Sequence, residues 1–352
     1  MTAPHIAITT GDPAGIGPEI ILKAAAALAP RLAAGELALT VIGPRATFAR
    51  TARELGLRDP FAAGAAAGPA FIGVGAEGED VRTGEISAAA GQLAYAAIER
   101  GVKLALAGAA DAICTGPISK DALNQAGHHY SGHTELLAAL TGASGSVMML
   151  AHGNMRVSHV TTHVALREVP DRLTPERLRR VVSLTAGALQ RLGIARPRIA
   201  IAALNPHAGE GGLFGTEDIT VTAPTVAALK AEGHDVTGPV PGDTIFVRLR
   251  AGQFDAAVAI YHDQGHIPVK LLGFAVDPAT GKWNALSGVN VTLGLPIIRT
   301  SVDHGTAFDI AGRGIASEQS LIEAIDYAVL LSGKGRGTGA APAGAGGAAG
   351  GG

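Results

Sequence analysis

The chain has 352 residues, 47% of them hydrophobic and only 4% aromatic, with a formal net charge of -2 and a single cysteine, Cys114. That length suits two α/β domains better than one layered core, and the balanced charge argues against nucleic acid as the main partner. One cysteine excludes an intrachain disulfide framework and suits a reducing compartment. No stretch reaches the ~18 uninterrupted apolar residues of a membrane helix. The opening "MTAPHIAITTGDPAG" lacks the basic and apolar regions of a signal peptide, so a cytoplasmic protein without membrane partners is expected.

In chain order, "HIAITTG" reads as a buried strand, followed by a glycine-rich turn and a helical "PEIILKAAAALAPRL" with Pro18 near its start. "LALTVIG" and "PAFIGVG" are further strands around a helical "RATFARTAREL", and Ile86 to Ala107 read as a long alanine-rich helix before the strand "DAICTGP". Strands alternating with helices predict a mainly parallel sheet. "SVMMLAHGNMRVSHVTTH" breaks the pattern, because His152-Gly153-Asn154 signals a hairpin between two strands. A helix from Pro175 to Leu192 precedes "RIAIAALNPH" and "FDAAVAIYH", two apolar strands that run into histidine. "VNVTLGLPIIRTSVDHG" and a helix near Ser320 to Leu331 close the fold, and the glycine- and alanine-rich segment 333–352 is expected to be a disordered tail.

Twelve histidines occur. His163, His207 and His262 each follow an apolar run, where an open α/β sheet presents ligands at the carboxyl ends of its strands. Together they could hold one divalent metal with positions left for substrate oxygens, although any one of them could merely bond a loop. In "YHDQGHIPVK" the pair His262 and His266 has the spacing of a zinc helix, but Gly265 and Pro268 argue against a sustained helix and no glutamate base lies between them. His266 is therefore expected in a loop. Lys270 is either a proton carrier near the metal or a solvated lysine. "SGHTELLAALTG" places His133 and Thr134 at a helix start, which favours a phosphate or carboxylate as well as simple capping. Arg299 could add a bidentate contact to the anion, or could form a structural ion pair. The turn "TTGDPAGIGPE" matches neither the dinucleotide fingerprint nor a Walker sequence.

Taken together, "TTGDPAGIGPEI", "GPISK", "GHTELLA", "LNPHAGEGGLFGTED", "PGDTIF", "YHDQGHIPVK" and "VNVTLGLPIIRTSVDHGTAFDIAG" resemble the 4-hydroxythreonine-4-phosphate dehydrogenase (PdxA) family of vitamin B6 biosynthesis, in order from about Ile6 to Leu331. "HGTAFDIAG" is also close to the adenosine-binding loop of the isocitrate and isopropylmalate dehydrogenases. The resemblance implies a two-domain α/β fold of that dehydrogenase type, mainly parallel, with the active site in the interdomain cleft and a homodimer that shares it. The domains would be 1–127 with 300–332, and 128–299. It implies metal ligands His163, His207 and His262, and substrate contacts His133, Thr134, Lys270, Asn290 and Arg299. NAD or NADP would lie along His304, Gly305, Thr306, Ala307, Asp309 and Ile310, with Lys270, Asp243 and Asp263 as catalytic groups beside a zinc, magnesium or cobalt ion.

The implied reaction is oxidation of 4-phosphooxy-L-threonine to its 3-keto acid, then decarboxylation to 3-amino-2-oxopropyl phosphate. Relatives of the family act instead on D-threonate or D-erythronate 4-phosphate, releasing dihydroxyacetone phosphate and CO2, or on aromatic cis-dihydrodiols. The segment between Lys270 and Asn290 is longer than the resemblance leads one to expect, which bears on substrate identity. A different class, a non-catalytic binding protein, would have no use for strand-end histidines together with Lys270.

Overall fold

The computed structural model describes residues 2–62, 68–276, 278 and 283–334. These form two compact units, 2–148 with 274–334, and 149–273. The boundaries expected from the resemblance divide the chain differently, since 128–148 and 274–299 here cluster with the first unit. The tail expected at 333–352 lies outside the described residues from 335 onward.

The first unit opens with β1 (His5–Thr9), α1 (Gly17–Ala27), the short α2 (Ala29–Ala33), β2 (Ala38–Gly43), α3 (Arg45–Leu55), β3 (Ala70–Gly73), α4 (Ala88–Leu106), β4 (Ala112–Thr115), α5 (Lys120–Gln125) and α6 (His133–Thr141). Capping fixes several helix starts. Ser87 accepts from the Ala90 amide and Ser119 from the Ala122 amide, each satisfying a donor that a helix start leaves open. The second unit carries β5 (Val147–His152), β6 (Met155–His159), α7 (Val169–Arg172), α8 (Pro175–Arg191), β7 (Arg198–Ala202), α9 (Ala223–Ala231), β8 (Asp235–Val240), α10 (Gly242–Arg250), β9 (Ala256–Ala259) and α11 (His262–Gly273). The chain then returns to the first unit through a ribbon of β10 (Phe274–Val276) and β11 (Trp283–Leu286), then β12 (Val289–Leu293), β13 (Arg299–Val302) and α12 (Gln319–Ser332).

In the first unit the strand order is β3-β2-β1-β4-β13-β12, parallel except for β12 against β13. In the second it is β5-β6-β9-β7-β8, parallel apart from the β5–β6 hairpin, whose His152 faces Met155 across a two-residue turn. The inner parallel strands β1, β2, β4, β7 and β9 are buried along nearly all of their length, as covering helices on both faces require. Ala7, Ile42, Ile98, Ile113, Leu136 and Leu137 pack in one core, and Leu150, Val157, Ala257, Ile245 and Val269 in the other. With so few aromatic rings, close backbone contact replaces bulk. Gly11 has φ +73°, and a Cβ there would lie 2.2 Å from the Pro117 carbonyl, so the turn after β1 rests directly on the end of β4.

One segment departs from expectation. "HDQGHIPVKLLG" is helical, with Pro268 inside α11. The start of this helix is held from outside. Gln264 accepts from the Ile260 amide at 2.7 Å and donates to the Ala203 carbonyl at 2.8 Å, tying it to the ends of β9 and β7. Those tertiary bonds outweigh the local preferences of Gly265 and Pro268.

Gly11→Ala should lower the free energy of unfolding by about 2–4 kcal/mol, since it combines a left-handed backbone with overlap on Pro117. A urea midpoint equal to that of the unmodified chain would contradict this contact.

Candidate active site

In the first unit, polar groups collect at the ends of β4, β12 and β13 and at the start of α6. Thr292 faces Arg299 across the β12–β13 pair, which lets its hydroxyl accept from Arg299 Nη1 at 2.9 Å. Arg299 Nη2 donates to Thr115 Oγ1 at 2.6 Å. The guanidinium is 2% exposed, its Nε has no partner, and no carboxylate among the described residues pairs with it. Burial brings its pKa down to about 10. Arg299 is therefore not the structural ion pair that its sequence context allowed. Beneath it, burial pushes the Cys114 thiol up to about 12, so this cysteine is inert.

His133, at the first position of α6, lies within electrostatic reach of Arg299. Burial and that guanidinium hold the imidazole well below its ordinary pKa, opposed by a backbone hydrogen bond at Gly116. His133 Nε2 and Asn290 Oδ1 are buried atoms without partners. A buried cation and unsatisfied polar atoms, together with a helix N-terminus, are the chemistry of an anion site. Thr134 follows in the first turn of α6.

The segment His304 to Ile310 is docked on the turn after β1. The Ile16 amide donates to the Thr306 carbonyl at 3.0 Å, and a Cβ on Gly15 would lie 2.7 Å from that carbonyl oxygen. Ala307 adopts φ +45°, and its carbonyl accepts from the amides of Ile310 and Ala311. Thus Gly305, Thr306, Ala307, Asp309 and Ile310 form a preset loop, and His304 Nδ1 donates to the Gly305 carbonyl at 3.0 Å. The sequence reading overlooked Asp12, in the turn beneath this loop. It is fully buried, with Oδ1 accepting from the Ala14 amide at 2.9 Å and Oδ2 unpartnered. Burial raises its carboxyl to about 6.

In the second unit four imidazoles cluster. The rings of His163 and His262 are 5.6 Å apart, and His262 stacks on His266 at 3.6 Å. His159 lies beside this pair, 4.7 Å from His266 and 6.5 Å from His262. His262 Nδ1 bonds Asp263 Oδ1 at 2.7 Å. His266 is a buried helical residue and not part of a loop. Burial, with His262, Lys270 and His163 nearby, lowers its pKa to about 4. Lys270 is half-buried one turn further along α11. His207 does not join this cluster within the chain. It stands at φ +51° in a run of left-handed residues from His207 to Gly211, with Phe214 as a ring neighbour at 6.5 Å. Asp218 anchors that loop, accepting from the Leu204 and Asn205 amides at 2.9 and 2.8 Å. Asp243 is exposed in the first turn of α10.

Among the described residues no three histidine, cysteine, aspartate or glutamate side chains gather at metal-binding distance. The donor chemistry nevertheless suits a divalent metal. The Asp263 carboxylate draws the His262 proton to Nδ1, which leaves Nε2 as a lone-pair ligand beside a second imidazole. No helix among the described residues is long and apolar enough to cross a membrane.

Two mostly parallel α/β units, one with an anion-seeking arginine and the other with an imidazole cluster, define an enzyme of metabolite chemistry. The chain belongs to the PdxA family, since the model for the pyridoxal phosphate biosynthetic protein PdxA matches residues 21–328. A Bradyrhizobium diazoefficiens protein, provisionally named a D-threonate 4-phosphate dehydrogenase, is 65% identical over 337 residues, covering 94% of this chain and 98% of its own. The D-threonate 4-phosphate dehydrogenase of Pectobacterium atrosepticum is 46% identical, covering 93% of this chain and 99% of its own. Among solved structures, 4-hydroxythreonine-4-phosphate dehydrogenase from Klebsiella pneumoniae matches with a TM-score of 0.78 at 44% identity, over 94% of this chain and all of that one.

Asp12 gives a pH prediction. Its folded pKa lies above the ordinary carboxylate value, so its contribution to stability is fully present below pH ~4 and is lost as pH rises through ~6. Asp12→Asn, which keeps an oxygen for the Ala14 amide, should be more stable than the unmodified chain at neutral pH by about 1–3 kcal/mol. The two should converge near pH 4 in urea unfolding, and an equal difference at both pH values would contradict the burial of the charge.

Proposed function

We propose that this chain is an NAD(P)-dependent dehydrogenase that oxidises the 3-hydroxyl of D-threonate 4-phosphate and releases CO2, giving dihydroxyacetone phosphate. The observation that carries a phosphorylated substrate is Arg299, a buried cation without a counter-ion, set beside His133 at a helix start. The choice of D-threonate is supported by the names of relatives at 65% and 46% identity. A second reading, 4-phosphooxy-L-threonine giving 3-amino-2-oxopropyl phosphate, is supported by the family and by the named activity of the Klebsiella protein.

In this reading the first unit supplies Arg299, His133, Thr134 and Asn290 for the phosphate and its neighbouring oxygens. Its loop His304–Ile310 takes the adenosine end of the cofactor. In the second unit His163, His207 and His262 would hold a divalent metal, which when bound would lower the pKa of the reacting hydroxyl and stabilise the charge left by loss of CO2. Asp263 fixes the His262 tautomer, and Lys270 moves the protons of the two steps, with Asp243 as a second acidic group. The position of His207 away from the other two imidazoles supports a metal site completed by a second copy of the chain, as the family resemblance implies. Ile267 and Leu271, one turn apart on α11 and 64% and 78% exposed, offer that copy an apolar contact.

The decisive assay follows reduced nicotinamide with each of NAD and NADP, with divalent metal present. The substrates are D-threonate 4-phosphate, D-erythronate 4-phosphate, 4-phosphooxy-L-threonine and a terephthalate cis-dihydrodiol. D-threonate 4-phosphate should give the highest kcat/KM and stoichiometric CO2, and preference for the amino substrate would select the second reading. Arg299→Met should lower kcat/KM for the phosphorylated substrate about 100-fold, the cost of about 2.7 kcal/mol for a charge-assisted contact. Lys270→Ala should depress kcat and shift its pH profile, and near-normal turnover with an unchanged profile would remove the lysine from the proton path.

A further inference from the structure

Three imidazoles pack together in the second unit. His262 and His266 lie face to face, with planes only 12° from parallel. His159, fully buried at the end of β6, stands beside this pair, 4.7 Å from His266 with planes at 50° and 6.5 Å from His262. Two further bonds lock the stacked pair. His262 Nδ1 is held by Asp263 Oδ1, and His266 Nδ1 by the His262 carbonyl at 2.9 Å. A carbonyl oxygen can only accept, so His266 carries its proton on Nδ1. The group also needs Gly265. A Cβ there would lie 2.3 Å from His159 Nε2 and 2.8 Å from Val157 Cγ1, so a larger residue would lift α11 off β6.

Rotation of the His262 ring about its Cβ–Cγ bond would break both the stack and the Asp263 bond. The ring is thus fixed from its face as well as from its edge. We infer that His266 is a positioning residue which, flanked by His159 and admitted by Gly265, sets the plane of the His262 imidazole and so the direction in which Nε2 is offered to a divalent metal. His266 is not itself a ligand. The inference rests on the reading of His262 as a metal ligand.

The test uses the full chain freed of metal with a chelator and titrated with zinc against a chromophoric competitor, alongside kcat and KM. His266→Phe keeps a flat ring and should bind zinc within a few-fold of the unmodified chain. His266→Ala removes the stack and should weaken binding about 10- to 100-fold, the usual effect of losing a group that orients a ligand. His266→Ala binding zinc like the unmodified chain would overturn the inference, and so would His266→Phe losing as much as His266→Ala. His262→Ala separates the two levels. If it loses zinc while His266→Ala does not, the positioning role fails and the metal reading stands. If it binds zinc normally, both fail. Nitrogen-15 spectra of the unmodified chain need no variant to fold. On adding zinc, His262 Nε2 should shift while His266 stays protonated on Nδ1, and a metal-type shift at His266 would overturn the inference.

Discussion

Arg299 sets the terms for the first unit. A guanidinium withdrawn from water, with only Thr115 and Thr292 hydroxyls to bond, is costly unless something anionic arrives. Its location at the start of β13 follows from the strand order, which places β13 between β4 and β12 and so brings one threonine from each side. The same arrangement explains why His133 stays neutral. A second positive charge beside Arg299 would repel it, and burial penalises it further.

The second unit gathers imidazoles against one another. Burial and the neighbouring His262 favour the neutral form of His266, while its hydrogen bond to the His262 carbonyl opposes them. Asp263 bonds the edge of His262. The two units thus differ in what they collect, a buried guanidinium in the first and imidazoles in the second.

Much of this was legible in the sequence. The alternating strands and helices, the hairpin at Gly153-Asn154 and the polar residues at strand ends follow from periodicity and turn chemistry, and ordered motif blocks carried the family. The failures share a cause, since each depends on contacts distant in the chain. Gly265 and Pro268 argue locally against a helix, yet Gln264 bonds to Ala203 and Ile260 hold one. His159 reads as one more residue of an alternating strand, and nothing in "RVSHVTT" announces that a helix will lean on it. Asp12 carries no motif of its own, although an aspartate ahead of proline in so small a turn has few places to go but inward. Asp218 has no motif at all.

The loop that carries His207 has a further consequence. His207, Ala208 and Glu210 hold a handedness that costs L-residues roughly 1–2 kcal/mol each, and they do so in succession. The Asp218 carboxylate, through two amides, offsets that cost from the far side of the turn. Sequence drift there would be asymmetric, with glycine tolerated readily at 208 or 210 and β-branched residues excluded. The loop can therefore vary in sequence while the backbone path that carries the imidazole is preserved.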